Sequence, residues 1–272
     1  MDRICLLDGA MGTELMKRGV PTGRFPEEVN LTAPEAVQSI HRDYLEAGSG
    51  ILYACTFGAN PVKAGGAAVE EVIRAALGNA RAAAGERAKV ALDVGPLGQL
   101  LEPYGDLTEE AAREAFRTVF LAGESADLLV LETFFDLTEL EIALDTARET
   151  LPGKPLFATM TFQPGGRTLT GVTVEEMAES LTAAGVSALG LNCSLGPGEA
   201  LPLLRRLAEV SSLPLIAKPN AGMPDPKTGA YPMDAAAFAA AMVPILDLGV
   251  RYAGGCCGTD PEYIRQLAEV LP

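Results

Sequence analysis

The same two-part pattern recurs eight times along the 272 residues: a short, almost continuous apolar run, then a longer stretch with apolar residues at three- and four-residue spacing. The runs are ICLLDG (4–9), ILYACTF (51–57), KVALDVG (89–95), LLVLETF (128–134), PLFATMTF (155–162), ALGLNCS (188–194), PLIAKPN (214–220) and RYAGGCCG (251–258). Such runs read as strands covered on both faces, and the spaced stretches between them as amphipathic helices. Acidic residues near the helix starts, glycine at several ends, and the Thr-then-Glu order in LTEEAAREA and VTVEEMAES support those boundaries. Alternating strands and helices call for a parallel sheet, and eight units closed on themselves make a (β/α)8 TIM barrel of the usual size. An open doubly wound sheet is the other solution, but no G-x-G-x-x-G follows the first run. No linker or low-complexity segment divides the chain, so residues 1–272 are expected to form one α/β domain.

Chemistry in such a barrel gathers at the C-terminal ends of the strands. Here the apolar runs end on Asp8, Thr56, Asp93, Glu132, Thr161, Asn192 with Cys193, Lys218 with Asn220, and Cys256 with Cys257, while Asn60 lies slightly past the second. Each alone has a structural reading, Asp8 as a cap or Lys218 as a solvent-facing strand end; their common register is what points to a rim. The formal net charge of −15 repels nucleic-acid backbones and no basic cluster offsets it, so no nucleic-acid partner is expected. No apolar run approaches the ~18 residues a membrane span needs. The start, MDRICLLDG, has no secretory pattern, which makes the cytoplasm the expected compartment. In that reducing environment the five cysteines are not expected to form a disulfide framework, and clustered thiols suggest metal binding or catalysis instead.

The last run, YAGGCCGTDPEY, sets Cys256 beside Cys257. Adjacent residues of a strand face opposite ways, so both thiols can turn to one point only where the strand has ended. Gly254 and Gly255 give room for that, and Gly258 permits a sharp exit. Cys193 ends the sixth run, and its loop can converge with theirs over the seventh strand. Three thiolates around one point repel unless a cation joins them; zinc accepts such soft ligands, and three protein ligands leave a coordination position open. Three ordinary core thiols, or a redox-active disulfide between Cys256 and Cys257, are the rival readings. Cys5 and Cys55 read as small buried hydrophobes, and His41, the only histidine, lies on a helix away from the rim.

Thiolate-rich zinc is a weak activator of water but can hold a further thiol as a reactive thiolate, whose natural reaction is attack on an electrophilic methyl carbon. Anchors for such a substrate are at hand. The small-residue loop Gly9, Ala10, Met11, Gly12 offers backbone N–H groups to a carboxylate, and Glu132 can pair with an ammonium. Together they suit a small amino acid bearing a thiol.

DGAMGTEL (8–15), TFGAN (56–60), ETF (132–134), LNCS (191–194), KPNAG (218–222) and GGCCGT (254–259), in this order, resemble the homocysteine S-methyltransferase family over nearly the whole chain. The resemblance implies Cys193, Cys256 and Cys257 as ligands of Zn2+, with the homocysteine sulfur as exchangeable fourth ligand and methionine as product. It also implies Glu132 and Asp8 at the homocysteine amino group, the Ala10–Met11–Gly12 backbone at its carboxylate, Asn220 near the metal when substrate is absent, and Asn192 shaping the pocket. One departure is ACTFGA, with Cys55 where many relatives carry asparagine. KPNAG looks most like the homocysteine-binding module of cobalamin-dependent methionine synthase, which implies methylcobalamin as donor, presented in trans by a cobalamin-binding domain or subunit, with a folate-binding domain or subunit as a further partner. The alternatives are a stand-alone enzyme using S-methylmethionine or S-adenosylmethionine, or a homocysteine-binding module inactive without its partner.

Overall fold

The computed structural model describes residues 4–65 and 68–272. Eight parallel strands, β1 (Cys5–Leu6), β2 (Ile51–Tyr53), β3 (Lys89–Val94), β4 (Leu128–Phe134), β5 (Leu156–Met160), β6 (Ala188–Asn192), β7 (Leu215–Lys218) and β8 (Tyr252–Ala253), form one sheet in the order β1-β8-β7-β6-β5-β4-β3-β2. A parallel Leu7–Ile51 bridge joins β1 to β2 and closes the ring. This is the expected (β/α)8 barrel in a single domain. All eight strands fall inside the apolar runs but most are shorter. The helices are α1 (Met11–Lys17), α2 (Val29–Thr32), α3 (Pro34–Ala47), α4 (Pro61–Ala64), α5 (Val69–Ala84), α6 (Glu109–Ala122), α7 (Leu137–Thr150), α8 (Val174–Ala183), α9 (Pro197–Val210), α10 (Ala235–Leu246) and α11 (Pro261–Glu269). Three of them, α1, α2 and α4, are short turns within the βα connections that the periodicity did not announce.

Local chemistry sets the helix starts. Thr173 and Glu176 make a reciprocal capping box at α8, whereas Thr108 at α6 supplies only its half, to the Ala111 N–H, because alanine stands at the third helical position. Asp136, Asp234 and Asp260 cap α7, α10 and α11.

The strands are buried on both faces, as their composition demanded. One face meets the helices in the large core; the other fills the barrel with Leu7, Ile51, Tyr53, Ala91, Leu128, Val130, Phe157, Ala188 and Ile216. The rings of Phe157 and Tyr252 pack 4.5 Å apart beside that inner layer. Among the described residues, no helix is long and apolar enough to cross a membrane.

His41 on α3 is fully buried, and neither ring nitrogen has a hydrogen-bond partner among the described residues. Burial alone lowers its pKa from 6.5 to about 4. The folded chain therefore binds this proton less readily than the unfolded chain. The resulting stability is complete above the unfolded value and is lost as pH falls from 6.5 towards 4. Urea unfolding at about pH 7.5 and about pH 5 should show His41→Leu losing about 2 kcal/mol less than the parent over that interval. Equal losses in the two proteins would refute the assignment.

Candidate active site

Strand periodicity carries the site upward from the inner core. Side chains two residues apart share a face, so Ala91 is followed on the barrel axis by Asp93, Val130 by Glu132, Phe157 by Thr159 and Thr161, Ala188 by Gly190 and Asn192, and Ile216 by Lys218. All of these polar side chains are buried, as are Asp8, Thr56, Asn60 and Asn220. The runs thus end on an inward-facing polar layer.

Lys218 is at its centre. Instead of a solvent-facing strand end, it is 3% exposed. Its Nζ lies 3.4 Å from Glu132 Oε2, 3.6 Å from Asp8 Oδ1 and 3.7 Å above the Tyr53 ring. Burial opposes its charge, but Glu132, Tyr53 and Asp8 outweigh burial and hold the ammonium well above its ordinary pKa. Burial raises Glu132, lifts Asp8 to about 6 and pushes Asp93 well above the carboxylate range. Asp8 also holds the fold together locally, because its Oδ2 accepts the Tyr53 N–H at 2.7 Å and so continues the β1–β2 pairing where the backbone ladder stops. Asp8 Oδ1, Asp93 Oδ1, Tyr53 OH and Asn220 Oδ1 are buried without hydrogen-bond partners among the described residues, an unusual concentration of unspent polar capacity at one barrel end.

Asn192 ties this layer to the thiols. Its Oδ1 accepts the Thr133 N–H at 2.9 Å and the Thr159 hydroxyl at 2.7 Å, while its Nδ2 donates to Thr133 Oγ1 at 2.7 Å and faces Cys256 Sγ at 3.9 Å. Among the described residues, the non-glycine residues with positive φ are Thr133 (66°), Cys193 (58°) and Ser194 (54°), all beside this network. Left-handed backbone at a β-branched residue is costly and persists only where neighbours enforce it. Asn192 enforces it at Thr133. At Cys193 the reversal turns the thiol off the strand's alternation and back over the barrel. Thr161 donates to Ser194 at 2.6 Å and steadies that turn.

Cys256 and Cys257 lie past the end of β8, held by bonds from Cys256 N–H to the Pro219 carbonyl at 2.9 Å and from Ala221 N–H to the Cys257 carbonyl at 3.0 Å. The glycines act mainly through space. A Cβ on Gly254 would stand 2.7 Å from the Asp8 carbonyl, and one on Gly255 would strike the Thr259 side chain. Gly258 needs both room and freedom, since its φ is +83° and the Tyr231 ring covers it.

The Sγ atoms of Cys193, Cys256 and Cys257 all lie within 4.8 Å of one another, and no fourth His, Cys, Asp or Glu joins them among the described residues. A tetrahedral zinc with Zn–S near ~2.3 Å spaces its sulfurs by about 3.8 Å; Cys193 and Cys257 are 3.8 Å apart. The thiols fit the ion. Without its charge they share protons: Cys193 is pushed far up by bonding to Cys256 and Cys257, while Cys257, bonded by Cys193, Cys256 and Tyr231, falls to about 3. Cys5 and Cys55 are outside the group and are partly rather than fully buried. Cys55 follows β2 instead of sitting within it; Asn30 Nδ2 satisfies its carbonyl at 2.8 Å, and burial pushes the thiol well up.

The Ala10–Gly12 segment is a helix start rather than a tight turn. Met11 and Gly12 open α1, and no side chain caps its first amides.

Residues 5–271 match the family model described as homocysteine S-methyltransferase. The chain belongs to that family. It is 32% identical to methionine synthase from Mycobacterium leprae over 99% of its own length, and equally to that of Mycobacterium tuberculosis, but covers only 24% and 25% of those proteins. Among solved structures, the homocysteine methyltransferase MmuM from Escherichia coli in its metallated form has a TM-score of 0.84 at 25% identity, covering 98% of this chain and 96% of that one. Its oxidized form gives 0.84 at 26%, covering 98% and 95%. A dihydrodipicolinate synthase from Bacillus anthracis, 10% identical with a TM-score of 0.55, shares the fold alone.

These relatives correct one expectation. Methylcobalamin as donor, with cobalamin-binding and folate-binding domains or subunits as partners, rested on KPNAG. A homocysteine methyltransferase almost wholly matched by this one barrel needs no such modules to explain the family chemistry. The five-residue likeness reflected a loop, whereas the donor is set by what reaches the barrel mouth. Family and thiol cluster agree on a zinc-dependent S-methyltransferase.

Sequence reasoning also underrated Lys218. A lysine two residues after Ile216, at the end of an apolar run, was the available signal. Thr133 lay within the ETF match without a role of its own and Thr159 carried no signal, because their importance comes from Asn192 across strands.

Proposed function

We propose that residues 1–272 form a homocysteine-binding barrel domain that methylates the homocysteine thiol to give methionine, using a small sulfonium donor, S-methylmethionine or S-adenosylmethionine. The convergence of Cys193, Cys256 and Cys257 without a fourth protein ligand, among the described residues, carries this reading. Zinc, when bound there, supplies the positive charge that keeps these thiols and an incoming thiol ionised. Glu132 and Asp8 orient the substrate amino group, the uncapped amides of Met11 and Gly12 after Ala10 receive its carboxylate, Asn192 fixes the wall beside Cys256, and Asn220 offers its unpartnered Oδ1 to the metal side. No histidine is needed as base, because the nucleophile arrives deprotonated. The net charge of −15 favours the approach of a sulfonium cation. A reducing cytoplasm suits thiols left open in this way.

The zinc-loaded protein, given homocysteine with each donor separately, should form methionine with a sulfonium. S-Methylmethionine should yield two methionines per transfer, one from each sulfur. Turnover with methylcobalamin alone would overturn the donor assignment.

A further inference from the structure

An ammonium already stands where the substrate's ammonium is to go. Lys218 Nζ is within 3.4 Å of Glu132 and 3.6 Å of Asp8, the two carboxylates to which the proposed function gives the homocysteine amino group. It reaches them from inside the barrel, sealed from solvent and braced over the Tyr53 ring at 3.7 Å. Homocysteine must therefore share both carboxylates with a like charge or displace Lys218 from them. A thiol that lacks the amino group has to do neither, and it leaves the ion pairs of Lys218 with Glu132 and Asp8 in place.

We infer that Lys218 makes the acceptor's α-amino group dispensable, so that this barrel also takes and methylates des-amino thiol carboxylates, of which 4-sulfanylbutanoate is the homocysteine counterpart. The inference rests on the proposed placement of the amino group between Asp8 and Glu132. A site that relies on the substrate for an N–H partner rejects the analogue without it by about 10⁴-fold or more, because its own polar groups are stranded. Here Lys218 supplies that partner to Glu132 and a neighbouring positive charge to Asp8. The carboxylate end of either thiol remains free to meet the α1 amides. In the transfer, the thiol proton goes to solvent and a sulfur lone pair forms the new S–CH3 bond. The electron pair of the broken bond stays on the donor sulfonium, which leaves as a neutral thioether.

Calorimetry on the zinc-loaded protein with homocysteine and with 4-sulfanylbutanoate reads the ratio of the two dissociation constants without any donor. A ratio within about a hundredfold supports the inference, and a greater preference for homocysteine overturns it. Lys218→Met, which removes the internal ammonium at similar volume, should move the ratio towards homocysteine by at least about tenfold; an unmoved ratio overturns the inference. If that variant does not fold, the parent's ratio decides alone. Mass spectrometry with S-methylmethionine as donor then looks for the methylthio acid. Failure of both thiols to be methylated, with the binding ratio as expected, would strike the proposed methyl transfer and spare the role of Lys218.

Discussion

Changing Cys193, Cys256 or Cys257 to serine should reduce bound zinc from about one ion per chain to below about a tenth, with the far-ultraviolet dichroism of the barrel preserved. The three sulfurs lie past the ends of β6 and β8, outside the packed cores, so their loss removes a site and not a fold. Two ligands plus a hydroxyl are a poor substitute for three soft donors. The kinetic loss should be at least about a thousandfold. A free thiol with a pKa of about 8.5 is only ~3% ionised at neutral pH, a factor of about thirty, and loss of positioning multiplies it. Metal analysis checks the first quantity and methionine formation the second. One serine variant that keeps a full equivalent of zinc would remove its cysteine from the ligand set.

Asn192→Ala should be the most damaging change among residues that hold no metal. It strands the part-buried Thr133 N–H and the buried Thr159 hydroxyl, and takes a donor from Thr133 Oγ1. At about 1 to 3 kcal/mol for each buried group left unpaired, a destabilisation of about 3 kcal/mol or more is expected in denaturant titration. Thr133 then has nothing to hold its φ of 66°, and relaxation there moves the neighbouring Glu132. Homocysteine binding should weaken more than zinc binding, since Cys256 keeps its own backbone anchors on Pro219 and Thr259. Stability within about 0.5 kcal/mol of the parent would show that the network is ornamental.

The eight strands were legible because a strand covered on both faces must be apolar throughout. β4 matches its run, Leu128–Phe134, residue for residue. At β1 and β8 only two residues pair regularly, because side chains and turns take over the hydrogen bonding, as Asp8 does for Tyr53. A hydropathy pattern does not register that exchange. The donor was misread for a different reason: a short loop motif records ancestry at one corner of the site and says nothing of what approaches the mouth.

The chain's order of residues determined the alternation that closes the barrel, the polar layer at its C-terminal end, and the thiols at β6 and β8, since each follows from local period and chain adjacency. Only the tertiary structure decided that Lys218 turns inward between Asp8 and Glu132, that Asn192 reaches Thr133, Thr159 and Cys256, and that Cys193 bends back in a left-handed conformation. Those outcomes depend on groups dozens of residues apart that satisfy one another's charge and hydrogen bonds only once the ring has closed.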